Sequence, residues 1–377
     1  MISTILKNLL TKGLLTKRWN NYPKIEEVSI LDNTGFAIHI ALFIVHLEGG
    51  DLDEEYIIKK MIFSLFSTTI LSDINTGTKN QIKKFDKEIF EKLENKSLSY
   101  ILSFDAPENL KKDIKNTIND KNHKKEDLII NASKKIAGLF EAEVNAKIFD
   151  YIYKKPLQEI NLSLENLSKE ISSIDEILSN KHYYNYLEQL RRLSYCMRWN
   201  QQSRKFPISV MSHLVIITFI NYVLLSFEKN SSFDKVESLK KTLYHDIPEA
   251  ITGDIITPTK KGVPGFEEIL EKVEYAMMED ALFCHISNDY KQKIIPLMLD
   301  PFSNKNGKLA KMADILSAYF EAKIEVLYGS KNYKIIEDKI FLALKEKYSG
   351  EDIDFMLNKV GKNFESIYVD DINLEDF

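Results

Sequence analysis

A chain of 377 residues with 44% hydrophobic and 28% charged residues can bury a sizeable core, and its length suits two to three domains. A net charge of −5 argues against a general nucleic-acid coat. Cys196 and Cys284 are too few and too far apart for a disulfide framework or a CxxC zinc site, and no run of 18 uninterrupted apolar residues marks a membrane span.

The N-terminal stretch Met1 to Lys17 interleaves lysines with leucines and lacks the continuous apolar run of a signal peptide, so a cytoplasmic setting is expected. Apolar residues then recur mostly at helical spacing. Helices are expected at roughly 4–17, 34–48, 55–71, 84–103, 108–119 and 126–152. After a polar but still periodic connector over 163–185, they are expected at 183–198, 208–228, 233–247, 265–283, 289–299, 307–328 and 333–348. The segment 349–377 is acidic and reads as a frayed or lightly docked tail. Alternating strand patterns are nearly absent, so the expected architecture is all-α, as two similar helical bundles.

Two bundles are expected because the sequence repeats itself at an offset of about 180 residues. Arg18-Trp19-Asn20 recurs as Arg198-Trp199-Asn200, Phe140-Glu141-Ala142 as Phe320-Glu321-Ala322, and Glu88 to Glu94 as Glu268 to Glu274. With a one-residue slip, Asp73 to Lys79 matches Asp254 to Lys260. That period far exceeds a solenoid unit, so the repeated object is a domain.

Chemistry concentrates in the second copy. His245-Asp246 is followed by Glu249, and on a continuous helix all three could face one side. Adjacent imidazole and carboxylate make a mixed N/O donor pair for a borderline divalent metal. A third carboxylate could then move protons for a metal-bound water. His213 lies among Ile216, Ile217 and Ile220, and periodicity alone reads it as a core histidine. Asp314 shares a face with Ser317 and Glu321, and periodicity alone reads it as a solvated aspartate.

Order and spacing carry more than the residues do singly. His213, then His245-Asp246, then Asp314 on an all-α scaffold, with Arg198-Trp199 fifteen residues before His213, resembles the HD-domain phosphohydrolases. The bacterial 5′-deoxynucleotidases are the most similar of them. The resemblance covers about 185–330, with His245 to Lys260 its most specific stretch and Lys311 to Ala322 in support.

The resemblance implies that His213, His245, Asp246 and Asp314 bind one divalent cation, Mn or Co first, with Mg, Fe, Ni or Zn as alternatives. It implies that Glu249 handles the proton of the water or leaving group and that Arg198 orients the phosphate as a planar fork of donors. Trp199 would wall the sugar, Asp254 and Thr257 would bind the nucleoside end, and Asp246 and Asp314 would also face the substrate. Ser212 stands where the family usually has a glutamate, which bears on how His213 is oriented.

Transferred to the first copy, the motif is gone. Asn33 falls at the position of His213, Lys134 at that of Asp314, and Ser64, Leu65 and Thr68 at those of His245, Asp246 and Glu249. Residues 1–175 are therefore expected to be a degenerate HD-like domain, 176–348 an HD domain with an intact metal site, and 349–377 the tail. Arg18-Trp19 and Asp73 to Thr76 survive, either as a metal-free nucleotide-binding or regulatory pocket or for packing and capping. The expected activity is removal of the 5′-phosphate from a (deoxy)nucleoside monophosphate. Two alternatives remain. One is hydrolysis of a nucleoside triphosphate, guanosine alarmone or cyclic nucleotide, and the other is a non-catalytic nucleotide-sensing or interaction protein. The expected partner is a nucleotide, with no membrane and no nucleic acid. The chain is expected to be a monomeric pseudo-dimer or a homo-oligomer.

Overall fold

The computed structural model describes residues 1–71, 74–86, 88–228, 233–255, 259 and 262–366. Among the described residues every extended regular element is helical, and β-pairing is confined to two isolated bridges, Lys17↔Ser29 and Met197↔Ser209. The all-α expectation holds.

Two helices, Ile30–Glu48 and Val210–Leu225, form the centre. Both are apolar on nearly every face, a pattern that only a fully surrounded helix can satisfy. Ile30–Glu48 is long and apolar enough to cross a membrane, yet 83% of its most apolar window is buried inside the bundle. Each starts with a serine cap. The Ser29 hydroxyl accepts from the Asp32 amide at 3.0 Å while the Asp32 carboxylate accepts from the Ser29 amide, and the Ser209 hydroxyl accepts from the Ser212 amide at 2.9 Å. The two helices pack on each other and each on a long partner, Lys124–Ser168 in the first half and Asn304–Leu327 in the second. At their crossing, a Cβ on Gly35 would meet the Met211 Sδ at 2.9 Å and a Val215 methyl at 3.0 Å, so the close approach depends on glycine there.

Corresponding positions of the two halves make matching local contacts. Arg18 N donates to Val28 O at 2.9 Å, and Arg198 N donates to Ile208 O at 2.9 Å. Trp19 and Trp199 both sit in the left-handed region, at φ +53° and +56°, each accepting at its carbonyl from a residue three further on. Ile25 N donates to the Asn145 side chain at 2.8 Å, and Lys205 N donates to the Glu325 side chain at 2.9 Å.

Several boundaries differ from expectation for local reasons. The helix expected over 84–103 is two, Thr76–Phe85 and Ile89–Ser103. Asp86 between them is extended, and its carboxylate accepts from the Glu88 and Ile89 amides at 2.9 and 3.1 Å, starting a new helix. The helix expected over 126–152 runs on as Lys124–Ser168, interrupted at Phe149, whose φ of −116° and ψ of 47° are not helical. The helix expected over 183–198 ends at Arg191 and passes through a 3₁₀ turn, Arg192–Ser194. The first part of the tail is more firmly held than expected. Glu351–Asp354, the π-turn Phe355–Val360 and Gly361–Ser366 bury Ile353, Met356, Leu357, Val360 and Phe364. Residues 367–377 lie outside the described residues. Buried side chains form one continuous cluster from Met1 to Phe364, so no gap in the core falls at residue 175.

Candidate metal centre

His213 is the fourth residue of Val210–Leu225, placed by the first backbone bond of that helix, His213 N to Ser209 O at 3.0 Å. His245 arrives differently. The helix Lys235–Tyr244 stops just before it because Pro248 has no N–H to continue the ladder. Ile247 N bonds Tyr244 O at 3.1 Å and Glu249 N bonds Asp246 O at 3.0 Å, so the segment proceeds through tight turns before Glu249–Thr252. The continuous-helix geometry expected for His245, Asp246 and Glu249 is therefore replaced by a turn. Asp314 comes from the middle of Asn304–Leu327.

These elements bring donor atoms of His213, His245 and Asp314 within 4.8 Å of one another. Asp246 adjoins the group, with an oxygen 3.2 Å from His245 Nε2. His213 is wholly buried. Its Nδ1 lies 3.1 Å from Glu321 Oε1 and 3.3 Å from the Ser317 hydroxyl, while Nε2 has no hydrogen bond and faces Asp314 Oδ1 at 3.3 Å. His245 Nδ1 lies 3.1 Å from the Thr242 carbonyl. Assigning the proton to each Nδ1 leaves both Nε2 lone pairs directed at the carboxylates, the tautomer that a metal-ligating histidine requires. Two imidazole nitrogens with carboxylate oxygens suit a borderline divalent ion, so the residues fit the implied metal.

Charge around this group is strongly organised. Burial opposes ionisation of Asp314, but the His213 contact and Lys311, whose ammonium is 2.8 Å from Asp314 Oδ2, hold it well below the usual carboxylate range. Asp246 is also held low against its burial, by His245 first and then Arg198 and His213. Burial and Arg198 push His213 down, yet Asp314 and Glu321 outweigh them and lift it. Arg198 stands 3.5 Å from Asp246 Oδ2 and 3.8 Å from Glu321 Oε1. Burial acts against its charge, and the carboxylates Glu321, Asp246, Asp314 and Glu249 more than compensate.

The other expected residues take distinct places. Trp199 donates its indole N–H to Glu321 Oε2 at 2.9 Å and lies 6.0 Å, ring to ring, from Tyr333. Glu249 and Asp254 are half-buried beside Cys196. The Cys196 thiol is pushed up to about 11 by burial, then by Glu249, Asp254 and Asp246. Thr257 lies outside the described residues. Ser212 takes no part in orienting His213 directly. Its hydroxyl donates to Asp32 Oδ1 of the first half at 2.7 Å, and the Ser209 hydroxyl bonds the same oxygen.

Periodicity misses Glu321, the residue that ties the site together. It is fully buried, stands behind His213 Nδ1, accepts from Trp199 and Ser317, and pairs with Arg204 at 3.0 Å. In the first half Glu141 occupies the same position. It accepts from Arg18 Nε at 3.1 Å and from the Asn33 amide, with Asn33 where the second half has His213. Lys134, where the second half has Asp314, directs its ammonium at the Ser64 hydroxyl, 3.4 Å away.

The 5′-deoxynucleotidase YfbR-like family model matches residues 185–364. Proteins called 5′-deoxynucleotidase from Vibrio parahaemolyticus serotype O3:K6 and Vibrio cholerae serotype O1 are each 24% identical to the chain, over 193 and 195 residues. Each alignment covers 50% of this chain and 96% of the relative. The crystal structure of an HD-domain phosphohydrolase from Listeria innocua aligns with a TM-score of 0.44 at 20% identity, covering 51% of this chain and 94% of that one. Over residues 185–364, the half that carries the His/Asp centre, the chain is similar to the 5′-deoxynucleotidase YfbR-like family, and this likeness supports a hydrolase.

Proposed function

We propose that the second half removes the 5′-phosphate from a deoxynucleoside monophosphate, with one divalent cation held by His213, His245, Asp246 and Asp314. The observation that carries this reading is the buried His213 Nε2, which lacks a hydrogen bond and faces Asp314 while Glu321 occupies the opposite ring nitrogen. The names of the relatives support the nucleotide class and the deoxy preference. When bound, the cation supplies Lewis acidity to the phosphoryl group and lowers the pKa of an attacking water.

The chain's own residues do the rest. Arg198, fixed between Asp246 and Glu321, offers a planar cationic fork to the phosphate and needs little reorganisation to stabilise developing negative charge. Glu249 takes the proton of the attacking water or returns it to the leaving 5′-oxygen. The Trp199 indole, anchored by Glu321, walls the sugar, and a pocket without room or a partner for a 2′-hydroxyl rejects ribose. Asp254 serves the nucleoside end, and Thr257 joins it. The first half, residues 1–175, is a catalytically silent copy packed on 176–348 as a pseudo-dimer.

Phosphate release from a panel of nucleoside mono- and triphosphates with Mn²⁺ or Co²⁺ tests this, comparing the parent with Asp246→Ala. The parent is expected to prefer deoxynucleoside monophosphates, and Asp246→Ala to lose at least a hundredfold. No metal-dependent difference between the two proteins on any substrate would contradict the reading. Release from triphosphates alone would move the substrate to that class.

A further inference from the structure

At the 180-residue offset, Ser29 corresponds to Ser209 and Asp32 to Ser212. A complete capping box needs the serine and, three residues on, a side chain that reaches back to it. The first central helix has both parts. Ser29 accepts from the Asp32 amide at 3.0 Å, and Asp32 Oδ2 accepts from the Ser29 amide at 3.0 Å. The helix that carries His213 has only the first part. Ser209 accepts from the Ser212 amide at 2.9 Å, and Ser212 brings no carboxylate.

The carboxylate arrives from the other half. Asp32 Oδ1 accepts from the Ser212 hydroxyl at 2.7 Å and from the Ser209 hydroxyl, while Oδ2 also accepts from the Ser29 hydroxyl at 2.7 Å. The Ser29 and Ser212 hydroxyls stand 3.3 Å apart. None of these four residues is more than 5% exposed. A carboxylate buried this deeply needs compensation. It receives a backbone amide, three hydroxyls and the N-terminal ends of two helices, whose dipoles favour a negative charge. One carboxylate thus completes both caps. A second one at position 212 would face it in a buried site, and a serine at both positions would leave the hydroxyls without an anionic acceptor.

The contacts bear on the metal centre through the backbone. The Ser209 carbonyl accepts the His213 amide at 3.0 Å, and Ser212 immediately precedes His213. Asp32 therefore holds both residues through which His213 is placed, while Glu321 holds the far side of its ring. We propose that Asp32 is a positioning residue of the metal centre, supplied by the half that carries none of its ligands. It fixes the first turn of Val210–Leu225, so that His213 Nε2 stays aimed at Asp314. This role presupposes the cation site proposed for the second half.

Isothermal titration of the full chain with Mn²⁺, well below the melting temperature of each protein, tests it. Asp32→Ser should weaken Mn²⁺ binding by about tenfold, as loss of a supporting contact does at metal sites. Ser212→Asp alone should weaken it as well, because two carboxylates then oppose each other in a buried place. Asp32→Ser combined with Ser212→Asp moves the carboxylate from one helix to the other among an equal set of donors, and should return within about threefold of the parent. Thermal melting establishes that each variant is folded, and Asp32→Asn, which keeps the shape, replaces Asp32→Ser if the latter is not. A merely structural contact would lower the melting temperature of the single variants and leave their Mn²⁺ affinity unchanged. Parental affinity in folded Asp32→Ser or Asp32→Asn, or no recovery in the folded double variant, would overturn the role of Asp32 alone. No Mn²⁺ binding by the parent would overturn the cation site and this role together.

Discussion

Glu321 accepts from Trp199, Ser317 and Arg204 and stands 3.1 Å from His213 Nδ1. Burial opposes its charge, but Arg198, His213 and Arg204 outweigh burial and hold the carboxyl well below its ordinary 4.5. A group with a lowered folded pKa contributes stability that is present above the unfolded value and lost as pH falls towards the folded one. The parent should therefore lose stability below about pH 4.5, and Glu321→Gln should flatten that part of the profile. At neutral pH the substitution leaves Arg204 and Arg198 short of a partner, at a cost of about 3 kcal/mol in urea denaturation. It should also loosen His213 and weaken Mn²⁺ binding roughly 10- to 100-fold. Unchanged metal affinity in a folded Glu321→Gln protein would remove Glu321 from its positioning role.

Glu141, at the same position in the first half, titrates in the opposite sense. Burial raises it, and Arg18, Arg191 and Asn33 do not compensate. Burial opposes the charge of both Glu141 and Glu321, and the partners that offset it at Glu321 fall short at Glu141. His213, His245, Asp246 and Asp314 are legible through the resemblance to the HD-domain phosphohydrolases, and the structure brings donor atoms of three of them within 4.8 Å, with Asp246 adjoining. Glu321 was harder to read. Hydrophobic periodicity registers apolar side chains, so a carboxylate buried by two arginines and a histidine looks like a solvated position.

Most helices were legible in the sequence, but Thr76–Phe85 and the turns of helix after residue 350 were not, and neither were helix ends. Ends are decided by single side chains: Asp86 restarts a helix by accepting two amides, and Pro248 stops another by lacking one. The second case matters for function, because the resulting turn, and not a continuous helix face, sets His245, Asp246 and Glu249 relative to one another. Close helix approach was similarly invisible. Gly35 costs helix propensity of about 1 kcal/mol relative to alanine, and its place against Met211 and Val215 explains its presence. Gly35→Val should destabilise the chain by about 1–3 kcal/mol in urea denaturation, since the added branch meets the Val215 methyl inside a packed core. A neutral or stabilised Gly35→Val would mean that the two central helices can separate without loss.

The 180-residue repeat reads as two domains along the chain, but the molecule joins them through one core. Asp32 of the first half accepts from Ser209 and Ser212 at the start of the helix that carries His213, so the first half supports the N-terminus of the site helix. The helical segment after residue 350 closes back towards the N-terminus, where the Lys7 ammonium donates to the Phe364 carbonyl at 3.5 Å. Such long-range contacts are not encoded by local pattern, which is why the C-terminal segment read as a tail. We propose a division of labour in which the second half holds a cation and the first half holds none. The direct test is the number of Mn²⁺ ions bound per chain at saturation, by equilibrium dialysis with elemental analysis, for the parent and for Asp314→Asn. One ion is expected in the parent and a large loss of affinity in the variant. Two tight ions in the parent, or one retained undiminished in Asp314→Asn, would contradict it.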